Sequence, residues 1–289
     1  MTTKEDRVRD AAGEEREWPL ISVLTRTYNR RELFAAAAAS VYDQSYPHVE
    51  YVVVNDGGKS VEDILEPYQE RLQIVYLEPG RVGRCRAGNV GLEAASGTWF
   101  AYLDDDDCFE PWHLETLLMA LEGRQMKVGY SDAWQVDLTR DETGAWKEVG
   151  RTVPYSEDFD RLKLFQKAFI HIVTFMHHRE VFDRLGGFDE SLEVLEDWDL
   201  FFRYAQDYDF LHVPKVTARF HVRDDQSNAI TMYRKEFVET RARLFAKYSN
   251  IAFRELMALV EAGRAEVGRL QTRIEALEEE MRHLRGTSP

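Results

Sequence analysis

Apolar residues fall into short blocks in the N-terminal half of the chain, and amphipathic stretches of helical length separate the blocks. Ile21 to Thr25 is a β-rich run, and Asn29 followed three residues later by Glu32 has the form of a capping box opening a helix. The alanine run Ala35 to Ala39 continues that helix. Pro47 breaks the chain before Val49 to Val54, a nearly unbroken apolar strand of the kind buried on both faces of a parallel sheet. Further strands are predicted over Gln73 to Leu77 and Thr98 to Leu103, with a helix around Asn89 to Ala95 between them. This alternation predicts a doubly wound α/β sheet.

The pattern changes further along. Lys127 to Arg151 alternates apolar and polar residues around Thr143-Gly144 and reads as a hairpin appended to the main sheet, a candidate wall for a pocket. A helix over Arg161 to Ala168 and a strand near Ile172 to Met176 lead to the loop Leu185 to Glu190, where the pair Gly186-Gly187 implies a tight turn. The next helix, Glu196 to Gln206, places Trp198, Phe201, Phe202 and Ala205 on one face. Last comes a seam of alternating three- and four-residue spacings: Phe253, Leu256, Val260, Gly263, Val267, Leu270, Ile274, Leu277, Met281 and Leu284. With charged neighbours such as Glu266, Arg269, Arg273 and Glu280, this is a heptad pattern and predicts a coiled-coil helix over residues 251–285, with Gly263 weakening one layer. Residues 1–18 read as a flexible tail, 19–250 as the main α/β domain, and 286–289 as a second tail.

In doubly wound sheets ligands lie beyond the carboxyl ends of the strands, which gives weight to polar residues there. Three strand ends are strongly polar: Arg26-Thr27-Tyr28-Asn29, Asn55-Asp56-Gly57-Gly58 and Asp104-Asp105-Asp106-Asp107. Gly57 and Gly58 read as turn residues. The four adjacent carboxylates at an enclosed strand end repel one another unless a cation is present, and a divalent metal supplies one. The alternative is a solvated acidic turn in which Asp107 caps the helix from Pro111. Asp197 lies at the edge of the apolar stripe near its helix N-terminus, where the helix dipole favours the ionised state that a general base requires. Asp199 reads as a surface partner of Arg203 one turn on.

Bulk properties narrow the class. At 289 residues with 44% apolar content the chain has room for one large α/β unit and an extension. A net charge of -15 argues against affinity for nucleic acid backbones. No run approaches the ~20 apolar residues of a membrane-spanning helix, and Met1 to Trp18 lacks the apolar run of a secretory signal. Cys85 and Cys108 form neither a metal-ligand cluster nor a disulfide framework. A cytoplasmic protein is expected, with peripheral attachment to a membrane through a partner left open.

The ordered motifs together resemble the inverting family-2 glycosyltransferases of the GT-A fold, over Pro19 to Asn250. They are the run Ile21 to Arg30, Val52-Val53-Val54-Asn55-Asp56-Gly57, Asn89 to Gly97, Leu103 to Asp107, and Leu185 to Glu190 with Glu196-Asp197-Trp198-Asp199-Leu200. The resemblance implies a mixed sheet with a Rossmann-like nucleotide-binding half and roles by position. Tyr28 and Asp56 match residues that hold the nucleotide base. Asp104 and Asp106 match the ends of an Asp-x-Asp motif that holds Mn²⁺ or Mg²⁺ against the donor diphosphate, and Asp105 lies against the ribose. Asp197 matches the base that deprotonates the acceptor. His221 resembles a late histidine that approaches the metal or diphosphate.

There are two departures. Arg26 stands where the family more often has Pro or a small residue, and is assigned to donor phosphate. Gly88 stands where an arginine is common, so that Arg84 or Arg86 supplies the charge; Arg86 is taken as the donor contact. The expected reaction moves a sugar from a nucleotide-diphosphate donor, a UDP-sugar by default, onto an acceptor hydroxyl of a glycan or other molecule, with inversion. Cell-surface polysaccharide or glycan synthesis is the expected context, and a homo-oligomer through the coiled coil the expected assembly. The rival reading is a catalytically silent GT-A scaffold that recruits partners through that coil.

Overall fold

The computed structural model describes residues 7–9, 15–224 and 234–286. Within the stretch read as an N-terminal tail, Arg7–Arg9 pairs antiparallel with Glu15–Glu17 as a small separate ribbon. The rest of that stretch, and the tail beyond 286, lie outside the described residues.

The main sheet contains β1 (Ile21–Thr27), β2 (Val49–Asn55), β3 (Gln73–Leu77), β4 (Trp99–Tyr102), β5 (Cys108–Phe109), β6 (Val128–Arg140), β7 (Trp146–Thr152), β8 (Phe175–His178) and β9 (Leu211–Arg223). Its order is β3-β2-β1-β4-β8-β6-β9-β5, with β7 paired to β6 off this path. The first four strands are parallel. Beyond them β8 runs antiparallel to both β4 and β6, while β9 returns parallel to β6. The sheet is therefore mixed, and the predicted hairpin is no appendage. Its first strand, β6, lies inside the main sheet, and only β7 hangs off it.

Both faces of the sheet are covered. All seven residues of β2 are buried, and alternation sends Tyr51 and Val53 to one apolar cluster and Val52 and Val54 to the other. Helix α1 (Arg31–Tyr42) covers the first face with Phe34, Ala37, Ala38 and Val41, an i, i+3, i+4, i+7 stripe. It starts later than the capping-box pattern suggests, because Asn29 takes a left-handed conformation (φ 56°) and its Oδ1 accepts the Lys59 N–H at 3.0 Å instead of capping the helix. Helix α2 (Arg84–Ala94) covers the other face and begins before Asn89. It lies so close to β1 that a Cβ on Gly91 would stand 2.1 Å from Leu24 Cδ1.

Helix α3 (His113–Gly123) has no side-chain cap. Asp107 does not cap it, because that carboxylate is buried and accepts the backbone N–H of His221 at 3.0 Å. Helix α4 (Arg179–Leu185) precedes the Gly186-Gly187 turn, with Gly186 at φ 77°. The helix predicted over Arg161 to Ala168 shrinks to Lys163–Gln166, and the strand predicted near Ile172 splits into a single 3-10 turn followed by β8.

Helix α5 (Glu196–Tyr204) buries its predicted stripe. Asp199 on it is no surface partner. It is fully buried and accepts from Arg203 Nη2 at 2.8 Å, Lys247 Nζ at 2.7 Å and Tyr248 Oη at 2.7 Å. One carboxylate thus fastens α5 to α6 (Arg234–Lys247) and to the residue before α7 (Ser249–Gly286). Helix α7 has 38 residues, about 57 Å at ~1.5 Å per residue. Ile251 in its first turn is buried, whereas Phe253 and the residues from Leu256 to Glu278 face solvent.

Candidate active site

The polar ends of β1, β2 and β4 converge with the N-termini of α2 and α5 and the last residues of β9. At the end of β4, Thr27 Oγ1 donates to Asp105 at 2.9 Å, and Arg30 reaches Asp105 at 3.2 Å and Asp106 at 3.0 Å. Arg223 Nη2 lies 2.6 Å from Asp106. Arg26 donates to Asp104 at 3.2 Å, to Glu196 at 3.3 Å and to the Arg84 carbonyl at 3.2 Å. Arg84 meets Glu196 at 2.9 Å.

These contacts revise the electrostatic argument drawn from the sequence. Four guanidinium groups already offset the repulsion among the aspartates, so the cluster stands without requiring a metal ion for that purpose alone. Burial tends to raise Asp104, but Arg26, Arg84 and His171 outweigh it and hold the carboxyl below its ordinary value. Burial, with the charge of Asp106, pushes Asp105 up to about 6. Asp107 is driven well above its ordinary value by burial and by Asp106.

The expected metal set of Asp104, Asp106 and His221 is not assembled as three ligands: among the described residues no group of three or more His, Cys, Asp or Glu side chains is arranged to hold a metal ion. His221 instead directs Nδ1 to the Asp106 carbonyl, and burial lowers its basicity, so it is neutral at pH 7. What the site offers is two carboxylates. The guanidinium bonds use Asp104 Oδ1 and Asp106 Oδ2, so that among the described residues the other oxygen of each carries no side-chain bond and is offered to another partner. Hard oxygen donors of this kind suit Mg²⁺ or Mn²⁺, and Mg²⁺ characteristically takes one or two protein carboxylates and completes its shell with phosphate oxygens and water. The residues therefore fit such an ion in the presence of a diphosphate.

At the end of β2, Asp56 is buried and accepts from Val82 N at 2.7 Å, Gly83 N at 3.0 Å and Arg81 Nη1 at 2.5 Å. The same Arg81 guanidinium lies 3.8 Å over the ring of exposed Tyr28. Tyr28 and Asp56 are thus brought together, and Arg81, which the sequence reading missed, joins them. Its signal was the loop Pro79-Gly80-Arg81-Val82-Gly83, whose glycines at φ 84° and 88° turn the chain back toward Asp56.

Arg86 is not part of the cluster. It pairs with Glu93 at 3.0 Å and Glu190 at 3.2 Å, and its neighbour Arg84 is the arginine of this helix that reaches the acidic site.

Asp197 is half-buried in the first turn of α5. Leu195 before it adopts φ 60°, a left-handed conformation that is strained for a branched side chain and that sets the angle at which the helix enters the site. The dipole argument alone predicts a lowered carboxyl. Burial and the adjacent Glu196 charge dominate instead and push Asp197 up to about 6. It remains mostly ionised at pH 7 and is a stronger base than an ordinary aspartate. His171 also faces the cluster, its ring stacked on Phe220 at 4.3 Å. Nothing in its sequence setting marked it.

The chain is similar to known proteins. The model for Glycosyl transferase family 2 matches residues 22–186, more than half of the chain. The chain belongs to that family and is a glycosyltransferase. Among curated relatives it is 29% identical to the uncharacterized glycosyltransferase YwdF of Bacillus subtilis, over 76% of this chain and 81% of the relative. It is 41% identical to the putative teichuronic acid biosynthesis glycosyltransferase TuaG of the same organism, over 35% of this chain and 41% of TuaG. Among solved structures it resembles S. aureus TarS 1-349 in complex with UDP-GlcNAc (TM-score 0.59, 21% identity, 71% of this chain, 59% of that one). It also resembles the mannosyltransferase PcManGT of Pyrobaculum calidifontis in complex with GDP-Man and Mn2+ (TM-score 0.57, 20% identity, 79% and 64%). The mixed sheet is of the GT-A type. Among the described residues no helix is long and apolar enough to cross a membrane.

Proposed function

We propose that the chain transfers a sugar from a nucleoside diphosphate donor to an acceptor hydroxyl in one inverting, metal-assisted displacement. The observation that carries this reading is the Arg26 guanidinium, which bonds Asp104 at the strand end and Glu196 beside Asp197, joining an acidic donor site to a carboxylate tuned toward neutrality. The base stacks on Tyr28 in place of the Arg81 guanidinium, and the Asp56 carboxylate accepts from it. Asp105 accepts from the ribose. Asp104 and Asp106 would hold Mn²⁺ or Mg²⁺, which when bound supplies positive charge to the departing diphosphate. His221 holds the Asp106 backbone in place beside them. Arg26 positions carboxylates: it commits Nη1 to Glu196 and the Arg84 carbonyl and an Nη2 hydrogen to Asp104. Asp197 takes the acceptor proton as the hydroxyl attacks the face of the sugar opposite the diphosphate, and one such displacement inverts the anomeric centre.

The Mn2+ and nucleotide-sugar in the PcManGT complex support a divalent ion and a donor of this class. The name of TuaG supports an acceptor in cell-surface polysaccharide synthesis. The test is a panel of UDP- and GDP-sugars with and without Mn²⁺, read by thermal stabilisation and then by release of free nucleoside diphosphate. A cognate donor raises Tm only with the metal and yields the diphosphate when acceptor is added. Stabilisation by no member of the panel, with or without metal, overturns the donor assignment.

A further inference from the structure

We propose that α7 joins two copies of this chain in a parallel, in-register, two-stranded coiled coil. The inference rests on the helix alone and stands apart from the chemistry of the active site. Ile251 anchors the first turn in the domain core, but the described seam from Phe253 to Leu277 finds no cover there. Leu256, Val260, Val267, Leu270, Ile274 and Leu277 are each 41 to 55% exposed, on one stripe of the helix. A continuous apolar seam of this length left in water is unfavourable, and burying it against a matching seam recovers the hydrophobic free energy.

The identities on the stripe select the partner. In heptad terms Val260, Val267 and Ile274 take the a positions, and Leu256, Leu270 and Leu277 take d. β-branched residues at a with leucine at d pack best in parallel dimers. The flanking charges agree with that choice. In a parallel in-register pair, g of one copy faces the following e of the other. Arg273 then meets Glu278 of the second copy, an attractive pair, while Glu266 meets the neutral Gln271. No like-charge pair arises between these layers. Gly263 occupies a d layer, where a Cβ meets nothing of the chain's own domain within 4 Å, so it faces Gly263 of the second copy and leaves one thin layer. Both catalytic domains come to lie at the same end of the coil.

Gly263 gives the test. Cys85 and Cys108 are buried, so Gly263→Cys introduces the one exposed thiol on the full-length chain. Under reducing conditions light scattering gives a dimer mass for wild type and variant alike, and mild oxidation converts the variant to a covalent dimer on a non-reducing gel. A monomer mass, or a trimer or higher mass, overturns the proposal. So does a dimer in which the introduced thiols fail to crosslink, because an antiparallel end-to-end pair sets position 263 opposite 274, beyond the ~7 Å Cα separation that a disulfide bridges. As a second arm, Ile274→Glu yields a monomer whose thermal unfolding of the catalytic domain is unchanged. A variant that stays dimeric with a charge in that layer also overturns the seam assignment.

Discussion

Arg26 and Glu196 meet at 3.3 Å with side chains only 11% and 4% exposed, so the end of the first strand and the start of the base-bearing helix are tied by a nearly buried ion pair. The other terminal nitrogen of Arg26 bonds Asp104 at 3.2 Å, and the guanidinium lies 5.0 Å from the centre of the Phe188 ring. Gly88 makes this possible. A Cβ at that position would stand 2.6 Å from Phe188 Cδ2 and 3.4 Å from Arg26 Cδ, so any larger residue displaces the ring that supports the guanidinium. The two departures from the family pattern, at 26 and 88, are therefore one packing solution.

Removing the cation from this arrangement leaves carboxylates facing one another in a low-dielectric site. Arg26→Ala is expected to lower the unfolding free energy at pH 7 by about 3 kcal/mol, in the range for breaking one side of a buried pair. Urea denaturation of both proteins measures it. A loss below ~1 kcal/mol is the ordinary value for an exposed pair and is incompatible with the buried tie.

Asp106→Ala is expected to fold with reduced stability: it removes a negative charge that raises both Asp105 and Asp107, but it also takes from the nearly buried Arg223 a carboxylate 2.6 Å away. What it loses is the carboxylate proposed to join a divalent ion to the diphosphate. Titration calorimetry with the cognate nucleotide should show Mn²⁺-dependent binding in the wild type and none in the variant. Equal Mn²⁺-dependent affinity in the two removes Asp106 from the metal site.

The parallel half of the sheet was legible because β2 is apolar at nearly every position and β1 to β4 are separated by helix-length spacings, a local signal that tertiary context did not need to supply. The acidic strand end was legible for the same reason. Its neutralisation was not, because Arg30, Arg84 and Arg223 come from different elements, and Arg223 meets Asp106 only when β9 lies beside β6. Asp199 misled for a related reason. Its i, i+4 partner Arg203 was visible in the sequence, whereas Lys247 and Tyr248, which bury it, lie in a segment that packs from far along the chain.

His113 bears on acid stability. It is fully buried, stacked 4.0 Å from Phe109, with Nδ1 2.6 Å from Thr217 Oγ1, and burial drops it to about 3. Unfolded histidine titrates near ~6.5, so between that pH and about 3 the unfolded chain binds a proton that the folded chain refuses. The stability held above pH 6.5 is progressively lost as the pH falls, by on the order of 5 kcal/mol across the window for this residue. Asp105, raised to about 6, acts in the opposite sense: its contribution is full below the unfolded carboxyl value and is lost as pH rises through 6. Comparing wild type with His113→Phe isolates the histidine. The stability difference between the two should shift in favour of the variant as pH is lowered from 7 to 4. A difference independent of pH rules out a histidine that stays neutral in the fold.

Asp197 bears on turnover. Its carboxyl is pushed up to about 6, by burial first and then by the Glu196 charge, so it is ionised at pH 7 and protonated at pH 5. A base that must be deprotonated to act makes kcat/KM fall on the acid side, with a limb near pH 6 to which Asp105, also raised to about 6, adds its own titration. Asp197→Asn keeps the shape of the side chain and its bond to the Trp198 N–H, and removes the basicity. Donor affinity should change little, while turnover falls ~10²- to 10⁴-fold, the usual cost of losing a general base. The acid limb of whatever activity remains should become shallower, because only the Asp105 titration is left in it. Near-normal transfer by the purified variant with its true acceptor shows that Asp197 is not the base. Glu196 does not take its place easily, because both Arg26 and Arg84 hold that carboxylate in ion pairs.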